Sequence, residues 1–552
     1  MSDTSTKLKI VYGLLMGLLA LLILSPLAMI FAEVLSPNGS LNTASINSLL
    51  APENSRTIFN SLLLGVSVVL LSTIIAAPLA FLLAKTPLGR YSWLDIVFMI
   101  PFMTPPYIAS MGWILFMQKR GLLEQLCPIL KWLSPYFFSF AGLTLVMSLH
   151  VFPFMVTILK NAMLNIPISL LESGAVFGAS PWYRLRKIFL PLLTGNYVIG
   201  ALLVFVKALS EYGTPATLGY RIGFYVFTTD IHRYATVAPI DFGSAASLSS
   251  VLIMICLLLW YVQNRITTTH SYNLVSGKGT RAHEATCSNL IKIIGWSYIL
   301  LLIFVAIIIP YFSVVSTSII KLRGYGLAAG NFTLQHYYDL FFDSNNGQTA
   351  LLNSVILATT SATIAAALGT VIAVLLRYYS KAQRKLLEAT SLLPEMLPGI
   401  VLVIGIMLFW NKIYNLLPLY NTLGIMVLAY TALFLPYTVQ YVGSALTQIS
   451  ASLTWAGRTL GGSPAYVFRR ITLPLISRGV SAGWMMTFII AFRELVTASL
   501  IAPPNTLVVS TFIMSEFEQG SVPIGMAMAV ICVIFTTTAL IILNRALHKN
   551  KG

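Results

Sequence analysis

Residues 172–191 read Glu172-Ser-Gly-Ala-Val-Phe-Gly178-Ala-Ser-Pro181-Trp-Tyr-Arg-Leu-Arg186-Lys-Ile-Phe-Leu-Pro191 and lie between two long apolar segments. The same spacing returns 283 residues later, where Trp455-Ala-Gly leads through Gly461-Gly-Ser-Pro464 to Arg469-Arg-Ile-Thr-Leu-Pro474. A polar, basic stretch interrupted by Gly and Pro has little reason to be duplicated if it only connects helices. The repeat therefore predicts two equivalent docking points for a two-fold soluble partner.

The composition indicates a membrane protein. Of 552 residues, 57% are hydrophobic and only 9% are charged. Apolar runs of about 18 residues or more predict membrane-spanning helices. Twelve such runs occur, at 10–32, 58–84, 93–117, 139–160, 192–212, 240–264, 292–315, 351–377, 387–411, 420–443, 475–500 and 523–544. The length of the first run predicts an uncleaved anchor, not a signal peptide.

The positive charges follow the predicted topology. If the N-terminus is cytoplasmic and the spans alternate, 23 of the 34 Lys and Arg residues lie on the cytoplasmic side and nine on the outer side. The remaining two, Lys207 and Arg493, fall within spans. This excess predicts that both termini and both repeated loops are cytoplasmic. We therefore attribute the net charge of +17 to membrane orientation, and expect no nucleic-acid partner.

The two halves of the sequence correspond to each other. Asn60-Ser61 matches Asn353-Ser354 at an offset of 293, and Glu211 matches Glu494 at an offset of 283. The ten-residue difference falls in or beside the predicted outer loop at 119–132. Six spans in each half give both halves the same orientation, so the repeats are parallel. We expect an all-α polytopic membrane protein with about twelve transmembrane helices: a first six-helix repeat at 1–265, a cytoplasmic linker at 266–289 and a second repeat at 290–552.

Each repeated loop reads as two short helices joined at a Gly. Pro167 fits the first turn of one helix, Gly178 permits a positive φ, and Ser180 can cap the helix that begins at Pro181. That second helix is expected to end at Pro191, where the fifth span begins. Such a rigid amphipathic pair suits a groove in a partner protein. The alternative is an interfacial helix pair whose Arg and Lys side chains reach lipid phosphates.

Four ionisable residues fall inside predicted spans, where charge is costly and usually faces a bundle interior or a water-filled route. Lys207 and Glu211 are four residues apart in the fifth span and are expected to share a helix face. Arg493 and Glu494 lie in the eleventh. These four are the candidates for the translocation pathway, and a structural ion pair is the alternative. Prolines in the third and ninth spans should break or kink those helices; they are Pro101, Pro105, Pro106, Pro394 and Pro398.

No metal, cofactor or catalytic site is expected. Cys127, Cys256, Cys287 and Cys532 show no metal-ligand spacing, and the histidines are scattered. The sequence contains no G-x-x-x-x-G-K-[ST] motif, because Gly277-Lys-Gly-Thr lacks the preceding Gly. The chain is therefore not expected to bind or hydrolyse ATP.

The repeated loops resemble the "EAA" coupling motif of ABC importer permeases, in which E-A-A is followed by three residues, Gly, and a basic aromatic stretch ending in Leu-Pro. Glu172-Ser-Gly, Gly178 and Leu190-Pro191 match in the first loop. Gly461 and Leu473-Pro474 match in the second, where Trp455 replaces the opening Glu. Because each half also has the six-span permease layout, the resemblance covers essentially the whole chain. The docking residues it implies are Glu172, Gly178, Pro181, Arg186, Pro191, Trp455, Gly461, Pro464, Arg469 and Pro474.

The resemblance also implies the partners. They are two copies of a cytoplasmic ATP-binding subunit, which hydrolyse the ATP, and a periplasmic substrate-binding protein. One copy of this chain, surrounded by membrane lipid in a bacterial inner membrane, would supply both permease halves. The chain itself would then be a transport subunit and not an enzyme.

Residues 493–509, Ser210-Glu-Tyr-Gly-Thr-Pro215 and Pro105-Pro-Tyr-Ile resemble the fused two-domain permeases of the ferric-iron importer group. The resemblance makes ferric iron the expected cargo. Related groups carry thiamine, 2-aminoethylphosphonate, sugar phosphates, polyamines or sulfate, and their binding proteins mostly select the substrate. A secondary carrier that uses Glu211 and Glu494 as proton sites is the alternative from another class, but a carrier needs no docking loops. A membrane enzyme has little support, because the sequence shows no catalytic constellation.

Overall fold

The computed structural model describes residues 2–36, 49–269, 288–343 and 345–548. These residues are helical apart from turns, loops and an isolated antiparallel bridge between Ile320 and Phe332. The expected all-α fold is confirmed. Most of the predicted linker at 266–289, including Cys287 and the string at 277–280, lies outside the described residues.

The chain forms two compact units. The first unit comprises Pro52–Asp230 and Met254–Phe332. Its main helices are Pro52–Lys85, Trp93–Met103, Pro106–Met117, Phe140–Leu164, Ile168–Val176, Pro181–Arg184, Leu190–Ser210, Asn289–Ile303 and Ile309–Ile319. Short helices Leu122–Leu126, Pro128–Trp132 and Leu133–Phe137 precede Phe140–Leu164.

The second unit comprises Met1–Ala51, Ile231–Ile253 and Thr333–Gly552. Its main helices are Ser2–Leu19, Ser25–Leu35, Asn345–Leu375, Lys381–Met396, Gly399–Lys412, Leu423–Thr447, Ala451–Thr459, Pro464–Val467, Leu473–Phe492, Val496–Ile501, Val509–Glu518 and Val522–His548. Phe227–Thr236 and Phe242–Thr269 pass from one unit to the other.

The units exchange the first spans of the sequence halves. The first span, Lys9–Leu35, belongs to the unit that contains residues 333–552, and the seventh, Asn289–Ile319, belongs to the unit that contains residues 52–230. This exchange was not expected from the sequence. It concerns packing and not sequence correspondence, so the repeat boundaries at 265 and 290 stay a prediction.

Each exchanged span is held by a close approach at a glycine. In the first unit, a Cβ on Gly112 would lie 2.5 Å from the carbonyl oxygen of Pro310. In the second unit, a Cβ on Gly405 would lie 2.4 Å from the carbonyl oxygen of Pro26. Gly112 and Gly405 are 293 residues apart, the offset of the early parts of the repeats. Contacts this short exclude any larger residue, so the same packing rule operates in both units.

Ten helices in the described residues are long and apolar enough to cross a membrane, and two bent helix pairs bring the number to twelve if each pair is one span. The bends are 88° between Trp93–Met103 and Pro106–Met117, and 108° between Lys381–Met396 and Gly399–Lys412. They fall at Pro105 and Pro398, so the predicted breaks in the third and ninth spans are confirmed. A proline lacks the N–H that its i−4 carbonyl needs and keeps the preceding residue out of the helical region.

The first break has a partner from another helix. Pro105 deprives the Pro101 carbonyl of its helical donor. The Nδ1 atom of buried His150, on Phe140–Leu164, lies 2.9 Å from that carbonyl oxygen. A carbonyl can only accept, so Nδ1 carries the proton. His150 therefore satisfies the backbone group that the proline break exposes.

Candidate functional site

The first repeated loop (residues 164–191) folds as two helices joined at Gly178. Helix Ile168–Val176 ends in a left-handed Gly178 with φ of +78°. The Gly178 N–H donates to Ala175 O at 2.9 Å, and the Ala179 N–H reaches back to Gly174 O at 2.9 Å. This is a glycine C-cap of the Schellman type. The Ser180 hydroxyl then accepts from the Tyr183 N–H at 3.2 Å and caps the helix that begins at Pro181.

The second repeated loop (residues 447–474) has the same backbone. Helix Ala451–Thr459 ends at Gly461, which has φ of +85°. The Gly462 N–H donates to Gly457 O at 3.0 Å, and the Ser463 hydroxyl accepts from the Tyr466 N–H at 3.2 Å. The two loops therefore share their fold down to individual hydrogen bonds, although half of their side chains differ.

The prolines at the ends of the loops do not end helices. We expected Pro191 to terminate the second short helix, but the helix runs unbroken from Pro181 to Ser210. A π turn at Leu185–Phe189 widens the helix just before Pro191, and Phe468–Thr472 does the same before Pro474. The widened turn accommodates a residue that cannot donate a backbone hydrogen bond. The expectation failed because it applied the rule for proline in an ideal α-helix.

All ten predicted docking residues are solvent-exposed. The strongest exposure is at a position that the sequence reading missed: Phe177 and its equivalent Leu460 each have 88% of their surface exposed. Both directly precede the left-handed glycine. Trp455, which replaces the acidic residue of the motif, is 71% exposed. Large apolar side chains held out on a rigid cap are typical of an interface and not of a free surface.

A second missed feature is the glycine at the third position of each motif. A Cβ on Gly174 would lie 3.0 Å from Ile188 Cδ1, and one on Gly457 would lie 2.7 Å from Ile471 Cδ1. Each glycine lets its two short helices touch. The recurrence of Gly at this position was visible in the sequence and could have predicted the close packing.

The two predicted glutamates lie just beyond helices and not within them. Helix Leu190–Ser210 ends before Glu211, whose backbone is extended with φ of −77° and ψ of 132°. Helix Leu473–Phe492 ends at Arg493, before Glu494. Glu211 therefore does not share a helix face with Lys207, and the eleventh span does not continue to residue 500. We call residues 210–215 and 493–498 the first and second glutamate turns.

The carboxylates hold their own turns together. Both oxygens of Glu211 lie close to the Thr214 N–H, at 3.0 and 3.1 Å. The oxygens of Glu494 accept from two donors, the Val496 N–H at 3.0 Å and the Thr497 N–H at 2.8 Å. A carboxylate that accepts backbone N–H bonds at the start of a helical turn acts as a cap. The spacing Glu-x-x-Thr, present twice, was the sequence signal for it.

A set of hydrogen bonds ties each glutamate turn to a neighbouring helix. In the first unit, Thr228 Oγ1 donates to Glu211 O at 2.8 Å, and Ser61 Oγ accepts from the Phe227 N–H at 2.8 Å. In the second unit, Ser510 Oγ donates to Glu494 O, and Ser354 Oγ accepts from the Val509 N–H at 2.8 Å. The amides of Asn60 and Asn353 complete the two sets by donating to Tyr225 O and Leu507 O. These matching bonds fix the positions of both turns.

The two cations are placed differently. Lys207 lies in the last turn of Leu190–Ser210, with its Nζ 5.9 Å from the centre of the Phe154 ring. Arg493 is the half-buried C-cap residue of Leu473–Phe492. Of the four pathway candidates, only Glu211 and Glu494 occupy equivalent surroundings.

Within residues 2–36, 49–269, 288–343 and 345–548, no group of three or more His, Cys, Asp or Glu side chains could hold a metal ion. Cys256 and Cys532 are buried and Cys127 is exposed. The two repeated loops and the two glutamate turns are therefore the features of the described chain to which a function can be attached.

Comparison with known proteins identifies the family. The sequence matches the binding-protein-dependent transport system inner membrane component family twice, at residues 76–267 and 365–551. The ferric transport system permease protein FbpB of Actinobacillus pleuropneumoniae is 26% identical over 499 residues, which are 87% of this chain and 69% of that protein. The Fe(3+)-transport system permease protein FbpB 2 of Haemophilus influenzae is 25% identical over 551 residues, which are 96% of this chain and 98% of that protein.

A shorter relative matches part of the chain. The putative 2-aminoethylphosphonate transport system permease protein PhnV of Salmonella typhi is 26% identical over 233 residues, 42% of this chain and 87% of that protein. The two family matches together span more than half of the sequence, and each contains one repeated loop and one glutamate turn. The chain belongs to the family of binding-protein-dependent transport system inner membrane components.

Proposed function

We propose that this chain forms the translocation pathway of an ATP-driven importer and that its two repeated loops dock two ATP-binding subunits. The observation that carries this proposal is the pair of exposed loops with identical backbone geometry, in a chain that belongs to a transport family. A two-fold partner needs two sites of the same shape, and a monomeric carrier needs none. ATP hydrolysis would take place on the partner.

The stoichiometry follows from the duplication. One chain carries both loops, so one copy would pair with two ATP-binding subunits and one periplasmic binding protein. The distribution of Lys and Arg supports a multi-pass inner membrane protein with both termini cytoplasmic. In that orientation both loops face the compartment that supplies ATP.

We infer that the cargo is ferric iron delivered by the binding protein. The support is the relative that matches this chain from end to end and is named as an Fe(3+)-transport permease. 2-Aminoethylphosphonate is the second candidate, because PhnV matches a single half. A permease need not contain a set of iron ligands, since the binding protein selects the cargo.

Glu211 and Glu494 are proposed to position the ends of the pathway helices and not to coordinate iron. Their carboxylate oxygens already accept hydrogen bonds from the backbone of their own turns. They would set where each span stops, and Lys207 and Arg493 would lie beside those ends. This gives the four candidate residues a role in shaping the route.

Reconstitution tests the function directly. The chain would be purified with the ATP-binding subunit and binding protein encoded beside it, and placed in proteoliposomes that contain ATP. We expect ATP-dependent uptake of radiolabelled ferric iron from the loaded binding protein. Uptake of 2-aminoethylphosphonate without iron would replace the cargo, and uptake driven by a proton gradient without ATP would overturn the importer assignment.

A further inference from the structure

The two repeats differ in the segment that follows the broken span. In the first repeat, residues 118–139 separate helix Pro106–Met117 from Phe140–Leu164, whereas residues 411–422 do the same in the second. The first connection is therefore ten residues longer. It folds as three short helices, Leu122–Leu126, Pro128–Trp132 and Leu133–Phe137. We call residues 118–139 the cap segment.

The cap segment closes an apolar cavity of about 670 Å³ within the first unit. Its other walls are helix Pro106–Met117, the start of Phe140–Leu164, and residues 304–312 of the span Asn289–Ile319. Trp113 stacks on Phe137 with ring centres 5.7 Å apart and forms one side. None of the side chains that line the cavity is charged. A volume of this size lies in the range of ligand-binding sites.

The wall formed by the span places the cavity against the bilayer. Phe304, Ile308 and Phe312 line the cavity and are 50%, 47% and 38% exposed, on a span with mean hydropathy of 2.7. Side chains on such a span face hydrocarbon when they are not packed against protein. The apolar species present at this depth is a lipid acyl chain.

The exposed face of the cap segment has the composition of a membrane–water interface. Trp132 and Tyr136 are 57% and 69% exposed, as expected for aromatic side chains at headgroup level. Its cations Lys119, Arg120 and Lys131 are all exposed. The acidic residue of the segment, Glu124, accepts the Arg120 N–H at 2.9 Å. A cationic, aromatic rim over an apolar cavity complements a lipid with a negatively charged headgroup.

We propose that the cavity under the cap segment binds an acyl chain of an anionic phospholipid, with the headgroup phosphate held by the cations of the segment. The bound chain fills the space beside the close approach of Gly112 to Pro310, where the exchanged span meets the first unit. Occupancy would brace that span. The second repeat, with its shorter connection, offers no equivalent segment. This inference does not depend on the identity of the cargo.

Native mass spectrometry of the detergent-purified protein tests the cavity. Leu145→Trp puts an indole into the space that Leu145 now lines. The matched control is Leu428→Trp, at the equivalent and similarly half-buried position of the second repeat. We expect the fraction of protein that retains phosphatidylglycerol to fall about tenfold in Leu145→Trp and to stay unchanged in Leu428→Trp. Equal retention by both variants would overturn the proposal.

A charge variant tests the headgroup and does not depend on filling the cavity. The change is Lys119→Glu, Arg120→Glu and Lys131→Glu together, with Lys412→Glu in the second repeat as control. Phosphatidylglycerol vesicles should raise the melting temperature of the wild type and the control, but not of the triple variant. Phosphatidylcholine should give a smaller rise than phosphatidylglycerol. An equal rise with both lipids would overturn the anionic assignment, and so would an unchanged rise in the triple variant.

Discussion

The first and second repeated loops share a backbone and differ in chemistry. Both use a left-handed glycine, a serine cap, a π turn and an exposed apolar residue before the glycine. The first presents Glu172 where the second presents Trp455. The glutamate turns repeat the pattern, because Glu211 uses one backbone donor and Glu494 uses two. Duplication has preserved the shape of each site while the strength of individual contacts diverged.

The largest effect is expected from breaking the shared backbone. Gly178→Val with Gly461→Val places β-branched residues at φ near +80°, which costs about 1–3 kcal/mol at each site. Co-purification of the ATP-binding subunit should fall by about a hundredfold. Nothing lies within 4 Å of either added Cβ, so the effect would come from the backbone alone.

The control is Gly178→Asn with Gly461→Asn, because Asn tolerates the left-handed region. It should retain most of the binding. Full binding by the valine pair would contradict the docking role of the loops, provided that the purified protein remains monodisperse.

Removing the exposed indole should have the next largest effect. Trp455→Ala deletes a side chain that is 71% exposed in the free chain and is expected to be buried by the partner. Truncation of a central aromatic anchor costs about 2 kcal/mol or more, so affinity should fall about thirtyfold. Isothermal titration with the ATP-binding subunit measures it, and Trp182→Ala in the first loop is the comparison. A negligible change would show that Trp455 lies outside the contact.

The glutamate turns should respond unequally to removal of charge. Glu494→Gln replaces one of two acceptor oxygens by an NH₂ group and leaves a backbone N–H without its acceptor, at a cost of about 1–3 kcal/mol. Glu211→Gln keeps an acceptor for its single donor and should cost less. We expect the transport rate to fall about tenfold in Glu494→Gln and a few-fold in Glu211→Gln. Equal losses would mean that charge, and not the hydrogen-bond pattern, is what matters.

The smallest effect is expected at Glu172. An exposed ion pair contributes about 0.2–1 kcal/mol, so Glu172→Gln should weaken partner binding by a few-fold at low salt. The difference from wild type should shrink as salt is raised, because screening removes exposed charge contacts. The loss in Trp455→Ala should persist at high salt. A salt-independent loss in Glu172→Gln would indicate that Glu172 is structural.

Local rules account for what the sequence predicted correctly. Apolar runs predicted the spans, Pro105 and Pro398 predicted the breaks, and Gly178 and Gly461 predicted the turns, because each depends on the residue itself and its near neighbours. The exchange of first spans depends on which apolar faces meet, and hydropathy does not distinguish between them. The helix ends before Glu211 and Glu494 were missed because apolar residues continue beyond them. Their cause is a carboxylate bonded to backbone three residues on, which periodicity does not reveal.

The π turns before Pro191 and Pro474 have a mechanical consequence. Because the helix is continuous from Pro181 to Ser210, its 30 residues form a rod of about 45 Å with no joint between the exposed loop and the membrane. Pro464–Phe492 forms a matching rod of 29 residues. A displacement applied at the loop end must therefore reappear at the far end, where each glutamate turn begins. The proline that could have served as a hinge is splinted by the widened turn, so each rod acts as a lever and not as a tether.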